Sequence, residues 1–152
     1  MEITKLLVSY EIALKLKESG FNEPCLFTYG KSDKRFMRNP GTNMLEEPIE
    51  DYPYYWINSK IHESVISAPL WQQVIDWFRE EHNLFIKIDN FIAEDDESVD
   101  YDFCICYCNE DVDDRGNVKY LIDYNMDRSL TYYEAMNQAI LEAIKLMEIT
   151  IE

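Results

Sequence analysis

The stretch "DFCICYCNE", Asp102 to Glu110, sets three of the chain's four cysteines at every second position. Thiolates in a cluster can hold a metal or cycle between dithiol and disulfide, so the spacing decides which chemistry is open. In an extended strand alternate residues share a face about 6.6 to 6.8 Å apart along the chain, whereas a disulfide needs β-carbons near 3.8 Å. Neighbours in this run cannot bond to each other without a bulge. Three successive sulfurs converge on one tetrahedral zinc only if the backbone kinks, and no C-x-x-C or nearby C-x-x-H supplies a knuckle. Cysteine used as a small hydrophobe in a strand is the preferred reading, with no metal and no cofactor.

Other constellations carry less. "DVDDRGNVKYLI" opens like a calcium loop at Asp111, Asp113 and Gly116, but Arg115 stands at the fifth ligand place and Ile122 at the twelfth, where a Glu is required. A hairpin turn explains it better. The chain has two histidines, His62 and His82. His82 falls at a helix end, where an imidazolium would be favoured by the dipole, and a structural role is its default. A Cys25 and His62 nucleophile pair has no signature around it. With four glycines in the chain there is neither a phosphate loop nor a G-x-S-x-G elbow, and no carboxylate spacing selects an acid and base pair. No catalytic or cofactor-binding residue is assigned, and the balance leans away from an enzyme.

The elements that would position these residues follow from periodicity. Ser9 caps a helix with Ile12, Ala13 and Leu16 as its apolar stripe, closed by Gly20 and Phe21. "CLFTYG" is a short strand, and the stretch from Lys31 to about Asp51, with two prolines and a glycine, reads as a flexible loop. "YPYYWINSKI" reads as extended. Ser67 to Asn83 is a helix capped by Ser67 with Pro69 in its first turn, and Thr131 to Glu148 a second one with a Thr131–Glu134 capping box. Between them, 84–90, 101–108 and 118–124 alternate as strands of an antiparallel meander. Trp71, Ile75, Phe78, Ile140 and Ile144 are the expected deep core. The fold class is α+β in one domain, with about three helices on one face of an antiparallel sheet. In that register Val118, Tyr120 and Ile122 join the helix face. Cys104, Cys106 and Leu121 fall on the opposite, partly wet face, a secondary candidate contact patch unless the N-terminal hairpin or a second subunit covers it.

Charge is segregated. Residues 1–66 hold 8 Lys/Arg and 10 Asp/Glu, and residues 67–152 hold 6 and 20, a net of -14 out of -16. Glu94, Asp95, Asp96, Glu97, Asp111, Asp113 and Asp114 concentrate that field, which repels nucleic acid and attracts basic protein surfaces. They are the main candidate contact residues. The basic cluster Lys31, Lys34, Arg35 and Arg38, beside Tyr52 to Trp56, could suggest single-strand stacking, but pairing with the protein's own acids is preferred. Charges within "MEITKLLVSYEIALKLKESG" argue against a signal peptide, and no apolar run is long enough to span a membrane. A cytoplasmic protein with reduced thiols is expected, with a homodimer left open.

"LVSYEIALKLKESGFNEPCLFTYG", "ISAPLWQQVIDWFREEHNLFIKI" and "YYEAMNQAILEAIKLME", in that order, resemble an uncharacterised family of small proteins encoded by phages and prophage-like elements of gut anaerobes. The resemblance implies a genomic context and brings no activity, cofactor or site residue. The leading functional expectation is a non-enzymatic phage or mobile-element accessory protein that binds another protein. Its alternatives are an acidic nucleic-acid mimic that inhibits a basic host protein, and an enzyme of unrecognised class.

Overall fold

Segments closed by hydrogen-bonded caps define the helices. In the computed structural model, which describes residues 3–38, 57–59, 61–92, 99–107, 120–124 and 130–150, the fold is α+β, with three α-helices and two three-stranded antiparallel sheets. The chain divides into two compact units, Met1–Val74 and Ile75–Glu152.

In the first unit a 3-10 turn, Ile3–Leu6, leads into α1, Tyr10–Glu18. Ser9 is its N-cap: the hydroxyl accepts from the Ile12 N–H at 3.3 Å. At the other end Gly20 N–H donates to the Lys17 carbonyl and Phe21 N–H to the Leu16 carbonyl, with Gly20 at φ 93°. This pair of bonds is the Schellman closure expected from "ESGF", and Phe21 is buried behind it. The first sheet has the order β2-β1-β3, built from β1 (Phe27–Gly30), β2 (Phe36–Arg38) and β3 (Val65–Ser67). Strand β2 lies inside the stretch read as a loop. Its three residues are too few to show a period, and the turn before it depends on Lys34 at φ 53° and on Asp33 Oδ1 accepting from the Arg35 N–H. The rest of that stretch, from residue 39, lies outside the described residues, as does most of the segment read as extended. Asn58, within the segment read as extended, sits in a turn. Its buried side chain donates to the Phe21 carbonyl at 2.9 Å and accepts from the Ser67 N–H at 3.1 Å.

Helix α2 spans Trp71–His82, and the division between the units falls within it. Ser67 is not its cap. The Ser67 backbone is committed to β3 opposite Thr28. Ala68, preceding Pro69, is biased away from helical ψ, so the helix cannot begin before the proline. Gln73 closes the first turn instead, its Oε1 accepting from the Leu70 N–H at 3.0 Å. Asn83, at φ 56°, stops the helix as expected, since Asn tolerates the left-handed conformation that ends a helix.

In the second unit β4 (Leu84–Ile92), β5 (Val99–Tyr107) and β6 (Tyr120–Ile122) form the expected meander in the order β4-β5-β6. Strands β4 and β5 pair over their full length from Leu84↔Tyr107 to Ile92↔Val99. Helix α3, Tyr132–Thr150, opens on the Thr131–Glu134 capping box. Thr131 N–H donates to the Glu134 carboxylate at 2.8 Å, and Glu134 N–H donates back to the Thr131 hydroxyl. Its Ala135, Ala139 and Ala143 recur every four residues and are fully buried, which lets the helix approach the sheet closely between Met136, Ile140 and Ile144. Trp71, Phe78, Ile140 and Ile144 are buried as expected, whereas Ile75 is only half-buried.

A Cβ added at Gly20 would meet nothing within 4 Å, so any penalty there is conformational. Gly20→Ala should destabilise the protein by about 1 kcal/mol in urea unfolding, and Gly20→Asn by less, because Asn tolerates the left-handed region. Equal losses for both would show that the Schellman closure does not govern this position.

Candidate functional site

The side chains with chemical potential gather on one face of the second sheet. Tyr101 shares a side of β5 with Phe103 and Ile105, as alternation along a strand requires. Its ring meets Tyr132 of α3 edge-on at 5.5 Å, so α3 covers that side. Cys104 and Cys106 therefore point to the other side. Register sets Lys87 opposite Cys104, Phe85 opposite Cys106 and Asp89 opposite Asp102, so all six share the face.

Strand β6 departs from the expected alternation. Ile122 pairs with Ile105, but Tyr120 pairs with Cys106, so Leu121 is the extra residue of a bulge. Tyr120, expected on the helix side, stands instead beside Cys106, and its ring lies 6.1 Å from that of Tyr124. Tyr124 completes the cluster. Its hydroxyl donates to Asp89 Oδ2 at 3.4 Å, and Lys87 Nζ lies 5.7 Å from its ring centroid while pairing with Asp89 at 2.7 Å.

The expected wet face is wet only at its margins. Asp102, Phe103, Cys104, Ile105 and Cys106 are buried in succession, whereas Phe85 and Tyr120 are 42% and 40% exposed. Of the secondary patch, Cys104 and Cys106 thus lie below the surface and Leu121 is 36% exposed. Among the described residues the exposed apolar groups set on this side by strand pairing are Phe85 and Tyr120. Sequence reasoning missed Tyr120 because a bulge leaves no trace in a three-residue strand. Tyr124, which alternation also places on the helix side, meets Asp89 and Lys87 of the other side just past the end of β6.

The electrostatics keep the cluster chemically quiet. Burial raises the Cys104 thiol above its ordinary value, against the weaker opposing pull of Tyr124 and Lys87. Burial and the Cys104 contact raise the Tyr124 phenol, and the Asp89 carboxylate raises the Lys87 ammonium. At neutral pH thiol, phenol and ammonium all keep their protons, so none is a nucleophile or general base. Asp89 is held as a carboxylate by Lys87, which also occupies it.

The remaining candidates are separate. Cys25 is buried, its Sγ donates to the Glu23 carbonyl at 3.4 Å, and burial pushes its thiol up to about 12. His62 is engaged with Ser64 through Nδ1 at 2.7 Å, so the two do not form a nucleophile and base pair. His82 is the reverse of the expected imidazolium. Its ring stands edge-on to Trp77 at 4.4 Å, Nε2 is buried without a hydrogen-bond partner, and burial lowers its pKa against the weaker opposing pull of Glu81. In the basic cluster Lys34 pairs at 2.9 Å with Glu11 of its own unit and lies over the Tyr10 ring. Glu94, Asp95, Asp96, Glu97, Asp111, Asp113 and Asp114, together with Cys108, lie outside the described residues. Among the described residues no group of His, Cys, Asp and Glu is arranged to hold a metal, and no helix is long and apolar enough to cross a membrane. Comparison with models of known families, with curated proteins and with solved structures gives no match.

The raised thiol of Cys25 has a signed consequence. Below pH 9 folded and unfolded chains both hold the proton. Above it the unfolded thiol ionises first, so stability falls as pH rises from 9 toward 12. The slope reaches about 1.4 kcal/mol per pH unit for each such thiol. Urea unfolding should show this decline, shallower in Cys25→Ala, and thiol labelling of the native protein at pH 8 should run far slower than in urea. A flat alkaline profile with fast native labelling of Cys25 would contradict both.

Proposed function

We propose that the chain is a non-enzymatic binding protein, an accessory factor of a phage or other mobile element, that acts by holding a basic surface of another protein. One observation carries the reading. The second unit, Ile75–Glu152, contains six Lys/Arg against twenty Asp/Glu, a net of -14, and the same unit exposes aromatic side chains on the face of its sheet away from α3. Aromatic anchors within a field of one sign are what a protein interface uses: the field steers the encounter and the rings hold it. The quiet protonation of Cys104, Tyr124 and Lys87 supports binding over catalysis.

The acidic residues divide into two tracts in the chain. Residues 94–97 fall between β4 and β5 in the sequence, and residues 111–114 between β5 and β6.

Affinity capture from host lysate at low and high salt tests the reading. A specific basic protein should be retained at low salt and weakened at high salt. Changing Asp95, Asp96, Asp111 and Asp113 to Asn should slow its association and flatten the salt dependence, while Tyr120→Ala should speed dissociation about tenfold. An on-rate unchanged by the four substitutions would reduce the acidic tracts to a solubility feature, and unchanged dissociation in Tyr120→Ala would remove the sheet face from the interface.

A further inference from the structure

Strand β4 is an edge. Over Leu84–Ile92 it pairs with β5 on one side, and among the described residues no strand pairs with the other. A nine-residue edge presents a row of outward N–H and C=O groups that template a further strand. Its sequence, LFIKIDNFI, is complementary to itself read backwards. We infer that β4 pairs antiparallel with the β4 of a second copy, about a two-fold axis through Ile88, joining two three-stranded sheets into one.

The register follows from symmetry and charge. Two copies related by a two-fold axis normal to the sheet keep α3 on the same side, and residues directly opposite must share a face, so the axis can pass only through a residue. Centring on Lys87 opposes Lys to Lys, and centring on Asp89 opposes Asp to Asp. Centring on Ile88 sets Lys87 against the partner's Asp89 twice over. It also sets Phe85 against the partner's Phe91 and Leu84 against the partner's Ile92. Ile88 meets its own copy, and Ile86 opposite the partner's Asn90 is the one unmatched pair.

Exposure agrees with this use of the edge. Phe85 is 42% exposed and Ile92 69%, and the Lys87 and Asp89 side chains, half open to solvent, are already held extended toward one another at 2.7 Å. An ammonium has three donors and a carboxylate several lone pairs, so each can serve the partner strand without leaving its own. Aromatic and opposite-charge cross-strand pairs are the units that stabilise such a ladder.

The inference is independent of any foreign partner, and its test needs only the purified chain. Sedimentation equilibrium across the micromolar range should give the two-chain mass for the natural sequence. Lys87→Asp and Asp89→Lys should each weaken self-association about tenfold or more, since each places like charges opposite across both symmetric pairs. Mixed in equal amounts, the two variants should regain the two-chain mass, because every cross-strand pair is then Asp with Lys. That recovery cannot arise from an effect within one chain. For the unmodified protein, hydrogen exchange at rising concentration should slow amides within 84–92 and nowhere else in the sheet. A one-chain mass for the natural sequence throughout, single variants that associate as well as it does, a mixture that fails to recover, or slowing outside β4 would each overturn the inference and leave Lys87 as a guard against edge pairing.

Discussion

A strand covered on both faces admits few residue types, and β5 is such a strand from Asp102 to Cys106. On the α3 side it can carry Phe103 and Ile105, because a helix with alanines at every fourth position leaves depth for them. On the other side it needs compact apolar groups beside the rings of Tyr120 and Tyr124, and cysteine fills that need with little volume and a thiol that stays protonated. Cys104 and Cys106 thus act as compact packing groups in the middle strand.

The same strand organises the polar groups. Lys87 and Asp89 pair with each other at the margin of the buried zone, within a unit that is strongly acidic.

Legibility in the sequence tracks how local the determining interaction is. The closures of α1 and α3 are readable because each is made by residues within five positions of one another, Leu16 to Phe21 and Thr131 to Glu134. The start of α2 is not, because Ser67 answers to a strand partner, Thr28, almost forty residues away. Strand β2 and the β6 bulge leave no signature for a similar reason: three residues have no period, and pairing with a distant strand defines them. The cysteine side of the sheet is legible from alternation alone. Its burial is not, since that depends on what lies above it, and Tyr120 reaches that side only through the shift in register.

Leu121 is the residue that the ladder could spare. Ile122 already faces Ile105 and Tyr120 already faces Cys106, so excising Leu121 would join two pairs that are both in place and leave a regular strand. In genetic terms the bulge is equivalent to a single-codon insertion whose disturbance stops at one residue, because the pairing on either side of it absorbs the change. Elsewhere in this sheet the same insertion would reverse the facing of every residue beyond it and put Phe103 where Cys104 now lies. The edge of the sheet least constrained by packing is therefore where the gene can change length without changing the fold.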